Sequence, residues 1–246
     1  MSARSSRSRA IASSTSGPAS RCAHGAHAGL GSDVKLWLYD GNIVELGLWR
    51  PVADTFVGND IREALDRLRG LQAEMDTRYR QLDTAGRRKI VRTDGLDVIL
   101  CVIDELAYFS VTIGTPQEQD EFKTLVRDLV ARGRAAGVIV CAATQKPASD
   151  VVPSALRDLF GFRLALRCNT PQASDTILGQ GWATLGHSAA SIAPAQRGVG
   201  LLLANDGTPV RMRGFHLTDA DVDALAGRAA AQRAKEWLAA AEGAGS

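Results

Sequence analysis

Residues 98–105 read Val-Ile-Leu-Cys-Val-Ile-Asp-Glu, an apolar strand that runs directly into two carboxylates. A second apolar run, Val138 to Ala143, ends in the polar turn Thr144-Gln145-Lys146-Pro147. Because adjacent parallel strands end at the same edge of a sheet, where ligands bind, these polar ends are predicted to lie side by side. One acid can hold Mg²⁺ there while the next activates water. The pattern predicts the back half of a nucleotide-hydrolysing α/β site.

Both halves of the pattern also have a plain structural interpretation. A buried strand can end in an acid such as Asp104 simply because the next residue meets solvent. Glu105 makes the pattern more specific, since hydrolysis needs a second carboxylate to orient or deprotonate water. Thr144 and Gln145 alone would be a polar turn before a proline. Beside the two acids, the amide of Gln145 can hydrogen-bond the attacking water or a γ-phosphate.

The front half of such a site is a glycine-rich loop that ends in Gly-Lys-Ser/Thr, and the sequence contains no such motif. Residues 1–32 precede the first apolar strand, and Ser, Ala, Arg and Gly supply 24 of these 32 positions. The segment has no acid and no lysine, and its glycines do not fall in the spacing of a phosphate loop. Its composition predicts disorder, because it offers too little apolar surface to offset the entropy of ordering.

Composition sets further bounds on the chain. Its 246 residues suit one large α/β domain or two small ones. With 29 basic and 27 acidic side chains, net charge does not predict nucleic-acid binding, although a local basic face is compatible with it. No run approaches the ~18–20 apolar residues of a membrane span, and the N-terminus lacks the apolar core of a secretory signal.

The cysteines point to a reducing compartment. Cys101, Cys141 and Cys168 lie in apolar, strand-like runs, where small buried hydrophobes are a better interpretation than disulfides. We therefore expect a cytoplasmic protein, with membrane association only through segments or partners outside this chain. Cys22, with His24 and His27, resembles a metal cluster only faintly, and a disordered tail is the preferred interpretation.

Strands and helices are predicted to alternate from Val34 onwards. The first strand ends in Asp40-Gly41, and Asp60 opens a helix with Glu63 as its capping-box partner. The apolar positions of that helix recur on one face. Its charged positions are interpreted as a solvated surface rather than a nucleic-acid contact: Arg62, Asp66, Arg67, Arg69, Asp76, Arg78 and Arg80.

Further elements follow in the same alternation. Helices are predicted at 117–136, at 172–178 and from about Thr218, and strands at 98–103, 138–143 and 162–166. Asn205-Asp206-Gly207 between two apolar runs predicts a hairpin. The order implies a mostly parallel sheet with helices on both faces.

Several linked motifs, in order and at matching spacing over residues 33 to about 226, resemble the FtsK/SpoIIIE family of DNA translocases. They are the Asp-Glu strand, Ala131–Gly137, Ala143–Pro147, Phe162–Ala165, Ser174–Gly181, Arg197-Gly198 before Leu201–Leu203, and Pro209–Arg211. Within the family, Lys35–Gly41 and Val44–Leu46 most resemble the conjugative-transfer branch of actinobacteria.

The resemblance implies a RecA-like P-loop NTPase domain that forms a hexameric ring and pumps double-stranded DNA using ATP. By position, Asp104 is the Mg²⁺-coordinating acid, Glu105 the catalytic glutamate and Gln145 the γ-phosphate sensor. Arg163 matches a basic position of the family and is a candidate arginine finger, with a solubilising strand-flanking arginine as the alternative. Arg132 and Arg134 are assigned to helix packing or DNA-facing loops, and Gly179–Gly181 to a structural turn.

The resemblance also implies an organisation and exposes a departure. Residues 1–32 form a disordered segment, 33–226 the motor domain and 227–246 a C-terminal helix or tail. The family places its phosphate loop where residues 1–32 stand, so no residue is assigned to nucleotide binding, and ATP and Mg²⁺ follow from the resemblance alone. We expect a truncated or frameshifted reading, with an evolved pseudo-ATPase as the alternative.

An N-terminally incomplete domain has structural and functional consequences. It would lack the first core strand and expose a sheet edge. The chain is then a translocase motor domain without its phosphate loop. The alternatives are a non-catalytic, DNA-associated ring subunit or remnant, and a secretion-type P-loop ATPase that acts on protein.

Overall fold

The computed structural model describes residues 10–13, 33–205 and 207–243. Eight strands are present in this part of the chain: β1 (Ala10–Ser13), β2 (Val34–Tyr39), β3 (Thr55–Val57), β4 (Val98–Ile103), β5 (Val138–Thr144), β6 (Phe162–Leu166), β7 (Val199–Ala204) and β8 (Val210–Arg213). The α-helices are α1 (Ile61–Thr84), α2 (Pro116–Arg132), α3 (Ser154–Arg157), α4 (Pro171–Leu178) and α5 (Asp219–Gly243). A π-helical turn, Tyr108–Thr112, and short 3₁₀ turns at Gly47–Val52, Arg92–Asp94 and Ala189–Ser191 complete them.

The strands form one mixed sheet in the order β3-β2-β4-β5-β1-β6-β7-β8. The first six in this order run parallel, and β7 pairs antiparallel with both β6 and the edge strand β8. The predicted α/β class with a mostly parallel sheet is confirmed. Strand β3 was not predicted, because three residues are too short for a visible alternation of polar and apolar positions.

The position of β1 corrects one expectation. Ala10–Ser13 pairs with β5 on one side and β6 on the other, so the sheet has a strand where the first core strand was expected to be missing. The expectation of a sheet edge exposed at that point is wrong. Four residues of the segment predicted to be disordered are therefore strand, and the rest of that prediction falls on residues 1–9 and 14–32, outside the described residues.

Helices cover both faces of the sheet because the side chains of the central strands alternate between two apolar clusters. On β4, Ile99, Cys101 and Ile103 join α1 and α2, while Leu100 and Val102 join α5 on the other face. The second cluster also takes in the 3₁₀ turn Gly47–Val52 through Trp49 and Val52. The arrangement is the three-layer sandwich that the alternating elements predict.

Helix α1 begins as predicted but carries one misassigned arginine. The Asp60 carboxylate accepts hydrogen bonds from the backbone N–H groups of Arg62 and Glu63 at 2.8 and 3.4 Å and so caps the helix. Arg78 is only 3% exposed, so its assignment to a solvated face is wrong. Its guanidinium donates to the carbonyl oxygens of Asp97 and Ala136, at 2.8 and 3.0 Å, and thereby ties α1 to the chain entering β4 and β5.

Helix α2 ends at Arg132, four residues before its predicted end. A Cβ atom on Gly133 would lie 2.5 Å from the Leu129 carbonyl oxygen and 2.6 Å from that of Val138, so only glycine fits where the chain turns into β5. Arg132 donates to Asp76 at 2.7 Å and also pairs with Asp128. The Asp76 bond joins α2 to α1, in agreement with the helix-packing interpretation of Arg132, while the Asp128 pair lies within α2.

The C-terminal third matches its predicted elements. Strands β7 and β8 form the predicted antiparallel hairpin. Helix α5 is continuous from Asp219 to Gly243, so the boundary placed after residue 226 falls inside one helix. Arg233 holds α5 to the sheet by donating to the carbonyl oxygens of Val52 and Val34, at 2.7 and 2.6 Å, and to Asp54 at 2.9 Å.

The cysteines in the described part are free thiols, as predicted. Cys101 and Cys168 are buried, and burial raises the pKa of Cys141 to about 11, which makes that thiol a poor nucleophile at neutral pH. Cys22, His24 and His27 lie outside the described residues. None of the described helices combines the length and apolarity that crossing a bilayer requires.

Candidate nucleotide-hydrolysis site

The candidate site lies at the edge where the parallel strands β2, β4, β5 and β1 end. Tyr39 is the register partner of Ile103, and Ile103 is the partner of Ala142. Continuing this register places Glu105 beside Thr144, which in turn is paired with Ser13 of β1. The predicted side-by-side arrangement of the two polar strand ends is present.

Asp104 is the first residue after β4 and is 1% exposed. Its backbone N–H donates to the carbonyl oxygen of Tyr39 at 3.0 Å, which continues the β2–β4 ladder by one residue and fixes the direction of the chain. A buried carboxylate at this edge fits a metal ion that is held by one protein carboxylate and by substrate phosphates. In the described part of the chain no group of three or more Asp, Glu, His or Cys residues could form a metal cage of its own.

Glu105 is held by three hydrogen bonds. Its Oε1 accepts from the hydroxyl of Thr144 at 2.6 Å and from the backbone N–H of Ala107 at 3.0 Å, and its Oε2 accepts from the backbone N–H of Gln145 at 2.8 Å. Glu105, Thr144 and Gln145, which the sequence pattern placed together, are thus connected by hydrogen bonds. The carboxylate also caps the helical turn that follows, through Ala107.

Gln145 continues from β5 with an exposed side chain. The turn after it is tight, since the backbone N–H of Ala148 donates to the carbonyl oxygen of Lys146 at 2.8 Å. The backbone N–H of Lys146 donates to the Thr144 hydroxyl oxygen at 3.1 Å. The amide of Gln145 is therefore presented at the open edge on a turn that is hydrogen-bonded to the same hydroxyl as Glu105.

Arg163 lies apart from these residues. It is the register partner of Ile11, two residues before the Ser13–Thr144 level, and three strand spacings, roughly 14 Å, separate its strand from β4. Its side chain is 14% exposed and its guanidinium lies 3.4 Å from Asp158 of the same chain. The structure does not bring it to the carboxylates, and its assignment as an arginine finger stays a prediction.

Two features of the site were not assigned from sequence. Asp40 is fully buried and accepts from the backbone N–H groups of Asn42 and Leu46, at 3.1 and 2.8 Å, so it shapes the loop after β2. Within that loop Ile43 has φ +70°, a strained value for a β-branched residue. The second feature is the Thr144 hydroxyl, whose only signal was its position at the end of an apolar strand.

The Gly-Lys-Ser/Thr motif of a phosphate loop does not occur in the sequence. Strand β1 ends at Ser13, at the edge where the donors of such a cradle belong. The residues after it, 14–32, lie outside the described part and contain no lysine. The acidic half of the site therefore fits Mg²⁺, while the sequence does not supply the usual donors for the triphosphate.

The mostly parallel sheet with helices on both faces is consistent with the RecA-like α/β fold. Comparison with solved structures agrees. The conjugation coupling protein TcpA of pCW3 superposes with a TM-score of 0.76 and 19% identity over 89% of this chain and 64% of TcpA. EssC of Geobacillus thermodenitrificans superposes with a TM-score of 0.72 and 12% identity over 94% of this chain and 44% of EssC. At these identities the likeness is one of fold.

Sequence comparison narrows the class. DNA translocase FtsK of Pseudomonas aeruginosa is 26% identical over 226 residues, covering 78% of this chain. The Corynebacterium glutamicum FtsK is 29% identical over 228 residues, and that of Treponema pallidum 31% over 161 residues. The resemblance to the FtsK/SpoIIIE translocases is confirmed by these relatives. The chain spans about a quarter of their length, at 26%, 23% and 20%, and no family model matches it.

Proposed function

We propose that this chain is the motor domain of an FtsK/SpoIIIE-type translocase that moves double-stranded DNA at the expense of ATP. The observation that carries the proposal is the hydrogen-bonded group of Glu105, Thr144 and Gln145 beside the buried Asp104. Hydrolysis at such an edge needs a metal-holding acid, a proton acceptor and a polar contact for phosphate or water, and this group contains all three.

The roles follow from position and chemistry. Asp104 holds Mg²⁺, which supplies charge neutralisation to the phosphates when it is bound. A carboxylate oxygen of Glu105 accepts the proton of the attacking water. The exposed amide of Gln145 contacts the γ-phosphate or that water. Arg163 acts on a nucleotide held by a neighbouring copy, because its own strand is three strands away from β4.

A set of exposed arginines supports DNA as the substrate. Arg211 and Arg213 are register partners of Leu201 and Val199, so they point to one face of β8, about 7 Å apart. Arg197 lies two residues before Val199 and is also exposed. Within residues 33–205 and 207–243 no salt bridge to an acid is found for these three arginines. An extended row of uncompensated positive charge suits a polymer of phosphates.

The row formed by Arg197, Arg211 and Arg213 is also too far from the candidate site to bind a nucleotide there. Five strand spacings, roughly 24 Å, separate β8 from β4 in the sheet. A triphosphate on Asp104 of the same chain would not reach Arg213. A hexameric ring that encloses DNA, as the FtsK/SpoIIIE resemblance implies, would give the row a phosphate backbone to contact.

We further propose that the chain acts in conjugative DNA transfer. It rests on the resemblance of Lys35–Gly41 and Val44–Leu46 to the conjugative branch. A conjugation coupling protein among the structural neighbours is compatible with it. The fold does not discriminate by itself, because EssC, and also EccC of Thermomonospora curvata, a type VII secretion ATPase, share it. A secretion ATPase that acts on protein is thus the alternative that an experiment must separate.

The missing phosphate loop favours a second candidate, a non-catalytic subunit or remnant that joins DNA-bound rings. Because Ala10–Ser13 forms a core strand, we propose that residues 14–32 stand in place of the true motor sequence through truncation or frameshift, with an evolved pseudo-ATPase as the alternative. Translating the nucleotides upstream of the Asp33 codon in all three frames tests this. An in-register Gly-Lys-Ser/Thr in another frame supports truncation, and its absence in every frame supports the non-catalytic subunit.

The function itself is tested on a chain with that loop restored. Duplex DNA should stimulate its ATP hydrolysis, and Asp104→Ala should abolish the activity. Stimulation by a secreted polypeptide but not by duplex DNA would establish the secretion alternative instead.

A further inference from the structure

The hydroxyl of Thr144 occupies a buried position between two parts of the candidate site. Thr144 is 1% exposed, and its Oγ1 lies 2.6 Å from Glu105 Oε1 and 3.3 Å from the Lys146 carbonyl oxygen. A hydroxyl has one hydrogen to donate, and the shorter contact, in the range of a charge-assisted O–H···O⁻ bond, is with the carboxylate. The same oxygen accepts from the backbone N–H of Lys146 at 3.1 Å.

These contacts set the direction of the Glu105 carboxylate. Two of its three donors, the Thr144 hydroxyl and the Gln145 backbone N–H, belong to the end of β5. The third donor, the backbone N–H of Ala107, lies two residues after Glu105 in the helical turn that follows. This bond caps the turn and does not hold Glu105 against β5. In this conformation both carboxylate oxygens are engaged by the protein. An ionised carboxylate offers about four lone-pair sites, so these three donors leave one site, on Oε2, for a water molecule.

We propose that Thr144 is a positioning residue that docks the carboxylate of Glu105 on β5 and couples its release to the Gln145-Lys146 turn. The coupling follows from the shared atoms. Any ligand that pulls the exposed Gln145 amide outward moves the Gln145 and Lys146 N–H groups, which bind Glu105 Oε2 and Thr144 Oγ1. Glu105 thus stays docked, with one Oε2 site open to water, when the turn is at rest, and it is freed to reorient towards water when the turn is engaged. The inference rests on the proposed function only for what the released carboxylate then does.

The test uses the 246-residue chain without nucleotide or DNA. Two signals are followed by nuclear magnetic resonance: the ¹³C shift of the Glu105 carboxyl carbon and the hydrogen-exchange rate of the Gln145 amide. In Thr144→Val we expect the carboxyl resonance to move and exchange at Gln145 to accelerate about tenfold or more, as loss of one charge-assisted hydrogen bond implies. Thr144→Ser keeps the hydroxyl and should restore both signals.

Two controls separate positioning from general loosening. The Ala142 amide, inside β5, should keep its exchange rate in every variant. Thr176→Val removes a hydroxyl that bonds only the Gln172 carbonyl oxygen of its own helix, at 3.0 Å, and should leave Glu105 and Gln145 unchanged. Unchanged signals in Thr144→Val, or equal acceleration at Ala142, would overturn the proposal. If the valine variant does not fold, Glu105→Ala gives the decision, since it removes the acceptor of the Gln145 N–H and must also accelerate exchange at Gln145.

The outcome is independent of whether the chain is a DNA motor. If both signals respond as expected but a loop-restored chain hydrolyses ATP equally well with Glu105→Gln, the docking contact stands and the proposed catalytic role fails. If the signals do not respond but that variant is inactive, the catalytic role stands and the positioning by Thr144 is wrong.

Discussion

Ser13 and Thr144 are register partners in adjacent parallel strands, so β1 and β5 end at the same level beside the strand that carries Asp104 and Glu105. In a phosphate-binding site of this class the loop after the first strand supplies backbone N–H groups and a lysine to the phosphates. In this chain β1 lies where that loop would begin, but the sequence after Ser13 has no lysine before Lys35. Strand β1 is therefore present, but the Gly-Lys-Ser/Thr motif that would follow it is not in the sequence.

The first prediction follows from this contrast: the chain as given should neither bind ATP–Mg²⁺ tightly nor hydrolyse it. Mg²⁺ keeps several waters and is held mainly through substrate phosphates, so Asp104 cannot replace the missing donors. Calorimetry with ATP–Mg²⁺ on the purified chain checks this. Micromolar binding, together with turnover that disappears in Asp104→Ala, would mean that residues 14–32 supply a phosphate site of another kind.

With the phosphate loop restored, Glu105→Gln should keep nucleotide binding and lose turnover by about a hundredfold or more. The amide cannot accept a proton from water, while Asp104 is unchanged and still holds Mg²⁺. Steady-state phosphate release and equilibrium nucleotide binding are measured on the same preparation. Release near the unmutated rate would remove Glu105 from the chemistry, and loss of binding would point to misfolding.

The sequence was most informative where periodicity and local chemistry agree. Strands β4 and β5, helix α1 and the hairpin were predictable because their apolar patterns and turn residues are local signals. Arg78 was misassigned because helical spacing cannot show that the chain entering β4 and β5 leaves two carbonyl groups for it to bind. Thr144 was grouped correctly, but its bond to Glu105 depends on strand register, which is a long-range property.

The role of Arg78 gives a stability prediction. Arg78→Met keeps a long apolar stem but leaves the buried carbonyl group of Ala136 and the partly buried one of Asp97 without this donor, which should lower the free energy of unfolding by about 3 kcal/mol. Arg80→Met, two residues along the same helix, removes an exposed guanidinium bonded to Thr77 and should change stability by less than about 0.5 kcal/mol. Urea denaturation of both variants checks the difference, and equal effects would contradict the structural role of Arg78.

The ion pair between Asp128 and Arg132, one turn apart in α2, should make the stability of the fold depend on pH in the acid range. The guanidinium of Arg132, by hydrogen bonding, holds the pKa of Asp128 below its usual range. A lowered folded-state pKa contributes stability above the unfolded value of about 3.9, and this contribution is lost as pH falls through the folded value. Arg132→Met should therefore flatten the fall in stability below about pH 4. Because Arg132 is 40% exposed, the effect is about 1 kcal/mol or less.

The last prediction concerns DNA. Binding should be weak, independent of sequence and steeply dependent on salt, because the exposed arginines can contact phosphates and no base-reading module is visible among the described residues. Replacing Arg197, Arg211 and Arg213 together by Gln should weaken binding and reduce the slope of log affinity against log salt by about 0.9 per lost contact, or about 2.7 in all. Titrations of two unrelated duplexes over a range of salt measure both quantities.

A matched triple variant makes this result specific. Arg62, Arg69 and Arg87 are also outside the apolar core, but they pair with Glu118, Glu121 and Asp94. Their replacement by Gln changes net charge by the same amount, yet it should leave the salt slope near its original value because these charges are already compensated. An equal loss in both triple variants would mean that only net charge matters, and the β8 row would then not be the DNA-binding surface. Salt-insensitive binding to one duplex would instead require a base-reading contact elsewhere in the chain.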